Sequence, residues 1–147
     1  MKIKSILLMV VLLFTLLSVS TIYADTVHMG NSTFSIPDGY TITESDNNLV
    51  IYNDDLAIVM YQGPIIDPSV AKQKRIDMGY DFLGEDTYVF EGTRINQQNY
   101  NNGGINTCVY TFKKNNKTYI ITLNVDENAD IPSYQDNPVT EIIHTLK

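Results

Sequence analysis

The chain has 147 residues, with 17 acidic against 10 basic side chains and a net charge of −7. A surface of that sign repels phosphate backbones and excludes nucleic acid as a partner. The one cysteine, Cys108, excludes an intramolecular disulfide, so stability has to come from packing.

Residues 1 to 24 have the order of an export signal: Lys2 and Lys4, an uncharged apolar run from Ile6 to Leu17, then a smaller and more polar tail ending at Ala24. The positive end stays on the cytoplasmic side, so the rest of the chain emerges outside. Ala24 is a small residue suited to cleavage, and the loss of apolar density after Leu17 favours a cut there. The competing reading is an uncleaved anchor. Ile6 to Ile22 spans seventeen residues, at the lower edge of the ~17 to 25 that cross a bilayer. Either way the expected location is secreted or at the outer face of the cell membrane, with membrane contact only through residues 1–24. Residues 25–147 then form one domain with 8 basic and 17 acidic side chains, net −9, long enough to bury a core.

Strand signals dominate that domain. Phe34 and Ile36 alternate with polar residues ahead of a Pro37-Asp38-Gly39 turn. Residues 48 to 53 and 56 to 62 read as a hairpin turning at Asp54 and Asp55. Both its faces are apolar, which predicts a central position covered on both sides. Asp67 and Pro68 open a helix whose stripe is Ala71, Met78 and Phe82, with Gly79 fraying it. A three-stranded meander is expected at 87–95, 105–113 and 117–125, interrupted by a polar loop "NQQNYNNGG" at 96–104 and a turn at Lys114-Asn115-Asn116. Asn137 and Pro138 begin a closing helix with Val139, Ile142, Ile143 and Leu146 along one side.

The order of elements, with "TFSIPDGY" near the start, "NKTYIITLNV" in the last strand and "TEIIHTLK" at the end, resembles the PsbP-like fold. It is similar also to small uncharacterised exported proteins of methanogenic archaea. The resemblance covers nearly all of residues 27–147 and implies an α+β fold, a twisted, mainly antiparallel sheet flanked by two helices in a PsbP-like sandwich. It also implies a binding or accessory module rather than an enzyme, by fold analogy, and carries over no functional residue.

The reactive residue types form no catalytic motif in the sequence. His28 and His144, the two histidines, lie far apart, and a Cys108–His144 nucleophile pair would need a reachable, electropositive thiol where the sequence places an apolar strand face. No catalytic residue is assigned. Asp126, Asn128 and Asp130 in "DENADIPSYQD" have the spacing of the first three oxygen ligands of a calcium loop. Ile131 and Asn137 stand where such a loop needs glycine and glutamate, so Ca2+ there competes with a solvated loop. Asn31-Ser32-Thr33 and Asn116-Lys117-Thr118 match the N-glycosylation pattern at Asn31 and Asn116. Paired acids such as Glu85 and Asp86 could serve a carboxylate-dependent hydrolase. The basic clusters Lys72, Lys74, Arg75 and Lys113, Lys114, Lys117 read as exposed charge. The function expected is an exported non-enzymatic module at the cell envelope, binding an envelope protein or extracellular ligand through its sheet or the 96–104 loop. A secreted hydrolase and a calcium-stabilised domain are the alternatives.

Overall fold

A computed structural model describes residues 26–45, 48–64, 66–132 and 137–147. The signal or anchor segment, residues 1–24, lies outside the described residues. The chain order is β1 (Thr26–Met29), β2 (Ser32–Ser35), β3 (Thr41–Ser45), β4 (Asn48–Tyr52), β5 (Leu56–Gly63), α1 (Pro68–Asp77), β6 (Asp81–Phe90), β7 (Thr93–Asn101), β8 (Ile105–Lys114), β9 (Lys117–Asp126) and α2 (Pro138–Thr145).

Seven strands make one antiparallel sheet in the order β3-β4-β5-β9-β8-β7-β6, and β1-β2 form a separate two-stranded sheet. From β5 the chain crosses through α1 to the far edge. It then returns strand by strand, so that β9 closes against β5. Three tight turns carry this return, at Glu91-Gly92, Gly103-Gly104 and Asn115-Asn116, all with positive φ. Paired left-handed residues give the hairpin turn whose twist matches that of the flanking strands.

Register partners share a face of the sheet. One row runs Ile42, Ile51, Ile58, Leu123, Cys108, and the next runs Leu49, Met60, Ile121, Tyr110. This face is the core. It is covered by Val27, Met29 and Phe34 of the small sheet and by Val139, Ile142, Ile143 and Leu146 of α2. Burying each large aliphatic side chain contributes about 1.5–3 kcal/mol. The α2 helix is fastened at both ends. Asn137 caps its start, accepting from Val139 N at 2.9 Å, and Lys114 Nζ donates to the Ile143 carbonyl at 2.6 Å, a cation at the negative end of the helix dipole. Beyond it, Lys147 exchanges two backbone hydrogen bonds with Thr33.

Among the described residues the protein is mostly β, 56% strand and 16% helix, and the expected α+β sandwich, a sheet flanked by two helices, is corrected accordingly. Two misread segments account for the difference. Residues 81–86 belong to a ten-residue strand, and most of the 96–104 loop is β7. A polar run such as "NQQNY" pairs as well as any other when its backbone is hydrogen-bonded to strands on both sides, as β7 is by β6 and β8. The helix stripe also fails. The α1 helix ends at Asp77, buries no side chain and leaves Met78 65% exposed, so it adds no apolar layer.

Candidate functional site

The second face of the sheet is uneven. Toward β4 and β5 it carries a small apolar cluster of Val50, Ala57 and Ile105. Toward β6 and β7 it is polar and lies beneath α1. There Glu85 is paired with Gln98 and Thr87 with Asn96 across the two strands. Lys72 of α1 bonds Glu85 at 2.6 Å and sits 5.1 Å from the centre of the Phe82 ring. The Arg75 guanidinium lies over Tyr100 at 5.7 Å. The buried Gln98 side chain donates to the Pro68 carbonyl and to Glu85, and accepts from Tyr100 Oη. The α1 helix is therefore held by cation–π and charge-assisted contacts instead of an aliphatic stripe. The basic cluster read as free surface charge supplies two of its anchors.

Strand β6 is the long edge of the sheet, paired on one side by β7 and by no other strand among the described residues. Its register slips between Phe82 and Gly84. The hairpin at Glu91-Gly92 sets the pairing of 84–90, and the bulge at Leu83 then brings Phe82 opposite Tyr100, ring centroids 5.6 Å apart. Leu83 is left turned out to solvent. Leu83 is 56% exposed and Val89 68%, so the edge offers unpaired backbone groups together with exposed apolar side chains. Such an edge is a template for another strand.

Hydrogen bonds from Lys72, then Asn96 and Gln98, hold the Glu85 carboxyl at about 2. Asp67 is lowered by Ser69, and Asp126 by the backbone and side chain of Asn128. All three carboxyls are anions at neutral pH, whereas a general acid needs the opposite displacement. The Asn96 side chain donates to Glu85 at 2.8 Å, and its Oδ1 is the buried side-chain atom without a partner among the described residues.

The residues singled out from sequence are dispersed. Asp126 ends β9 and closes a local turn, accepting from Asn128 N at 2.9 Å and from Asn128 Nδ2 at 3.0 Å. Asn128 and Asp130 are exposed beyond it, and residues 133–136 of that stretch lie outside the described residues. Among the described residues no group of three or more His, Cys, Asp or Glu side chains is placed to hold a metal ion. Asn31 and Asn116 both stand exposed at hairpin tips, β1–β2 and β8–β9. Cys108 is fully buried, and burial pushes its thiol up to about 11. His144 instead meets Glu91 at 2.7 Å on the surface. Asp54 and Asp55 are exposed in the β4–β5 turn, where Asn53 Oδ1 accepts from Asp55 N and Leu56 N.

One constellation was not legible. Ser32 Oγ, fully buried, shares a 2.7 Å hydrogen bond with Tyr119 Oη and accepts from Lys117 Nζ at 2.9 Å. The types are those of a serine–lysine nucleophile, but with both Ser32 and Tyr119 at 0% exposure the group fastens the small sheet to the large one. No signal in the sequence joins Ser32 to a lysine 85 positions away.

No protein-family model and no curated protein sequence matches the chain.

Proposed function

We propose that this is an exported, non-enzymatic binding module of the cell envelope, which holds another surface component through its sheet. The observation that carries the reading is the free β6 edge with Leu83 and Val89 exposed beside it. It replaces the 96–104 loop as the contact region, because those residues are mostly β7 inside the sheet. Export rests on the Lys2-to-Ala24 pattern, and location at the envelope comes with it. The carboxyls of Asp67, Glu85 and Asp126 are all shifted downward by hydrogen bonds, the direction opposite to that of a general acid, which lends no support to a carboxylate-dependent hydrolase.

The test is retention of an envelope component by the immobilised full chain, compared with a Leu83→Lys/Val89→Lys variant. Both positions are exposed, so the variant keeps its core. A component held by the native chain and lost by the variant supports the reading. Equal retention of every component by both chains refutes it. The intact mass of the protein from membrane and from medium decides the export step: a chain beginning at Asp25 is released, and one retaining residues 1–24 in the membrane fraction is tethered.

A further inference from the structure

We infer that β6 accepts a basic extended segment of a partner protein as an eighth strand of the sheet; this rests on the binding-module reading above and names the partner's chemistry. Strand β6 contains Asp81, Glu85 and Asp86 and no Lys or Arg. Lys72 neutralises Glu85 from the α1 side. Asp81 and Asp86 remain exposed, and their register partners Asn101 and Gln97 place both on the core-side face of the strand. Five positions apart in sequence, they would stand on opposite faces of a regular strand; the Leu83 bulge puts them on one.

On that face Asp81, Gly84 and Asp86 succeed one another, so the two carboxylates are about 13 Å apart along the strand. An incoming strand meets them with two cationic residues four positions apart. Midway stands Gly84, where nothing lies within 4 Å of the place a Cβ would occupy. That opening takes a large side chain from the partner. On the opposite face the partner meets Phe82 between the cations and Val89 beyond the one at Asp86, which call for apolar residues at those two places.

Charge also decides against the simplest rival, a second copy of this chain. Two β6 strands side by side would bring acidic residues together without a cation on either strand, and like charges across a pair are destabilising. The acids that select a basic partner thereby exclude self-pairing. The other free edge, β3, is half as long, five residues against ten.

The test is calorimetric titration of the full chain in mild detergent with a synthetic extended peptide bearing lysines four positions apart, a tyrosine midway and valines placed to meet Phe82 and Val89. A matched peptide with glutamate for lysine is the control. The lysine peptide is expected to bind. Asp81→Asn/Asp86→Asn is expected to weaken it tenfold or more, as is raising the salt, since both carboxylates are exposed and screened. Equal binding of the two peptides, or binding unaffected by the double substitution, overturns the inference. So does a concentration-dependent dimer that blocks the peptide, because the occupant is then a second copy. Loss of peptide binding alone, with the Leu83 and Val89 dependence of envelope capture intact, defeats the basic-strand inference and leaves the binding-module reading standing. Peptide binding without any edge-dependent envelope capture does the reverse.

Discussion

Replacing Ser32 by alanine removes one oxygen and should be among the most damaging conservative changes outside the aliphatic core. Ser32 and Tyr119 are both at 0% exposure, so neither hydroxyl exchanges its lost partner for bulk water. Lys117 Nζ can only donate, and it donates to Ser32 Oγ at 2.9 Å. Tyr119 Oη shares the 2.7 Å bond with the same oxygen. Stranding a buried hydroxyl costs about 1–3 kcal/mol. Lys117, partly exposed, recovers much of its loss by hydration, so Ser32→Ala should destabilise by about 2–3 kcal/mol in all. In urea denaturation of the full chain the midpoint falls accordingly, with an unchanged slope. Tyr119→Phe alone strands Ser32 less severely, because Lys117 still reaches it. The double variant removes both ends of the bond. It should therefore be less destabilised than the sum of the singles by about 1–2 kcal/mol. Strict additivity, or a Ser32→Ala loss below about 0.5 kcal/mol, would show that the hydrogen bond contributes little and refute the reasoning.

Glu85 is lowered in the folded protein, so its contribution to stability is complete above the unfolded carboxyl range near 4.5 and is lost as pH falls toward 2. Stability should hold from pH 7 to about 5 and fall below it, and Glu85→Gln should flatten part of that fall, Asp67 and Asp126 supplying the rest with the same sign. A pH profile identical in the native chain and the variant refutes this. Asn116 holds φ 60 in the β8–β9 turn. Asn116→Gly should stabilise by about 0.5–1 kcal/mol, read from the urea midpoint, whereas a β-branched residue there should destabilise. The same substitution abolishes the second glycosylation pattern, so any hexose-sized excess in the intact mass assigned to Asn116 must vanish with it. Calcium should leave the melting temperature where a chelator leaves it, because Asp126 Oδ1 is already engaged by Asn128. A rise of several degrees in calcium would restore Asp126, Asn128 and Asp130 as ligands.

Much of the fold can be read from alternation and turns. Leu49, Ile51, Ile58 and Met60 share the face their spacing assigns them, and the closing helix buries Val139, Ile142 and Ile143 behind an Asn137 cap. The sequence holds a further signal: Glu91-Gly92, Gly103-Gly104 and Asn115-Asn116 recur at equal intervals, marking three hairpin turns of one meander. Reading the first of them as a turn converts the polar 96–104 loop into β7.

By itself the sequence determines what depends on neighbours along the chain: strand faces, capped helix starts and turns that need left-handed residues. These rest on backbone sterics and side-chain period. Tertiary structure alone decides which strands lie at the edges, that the Leu83 bulge puts Asp81 and Asp86 on one face, and that Lys72 and Arg75 meet Glu85 and Tyr100 instead of solvent. Those relations arise from the crossing of α1 to the far edge of the sheet. The crossing is settled by how the two halves of the chain bury a common apolar face, a global balance that local pattern does not encode.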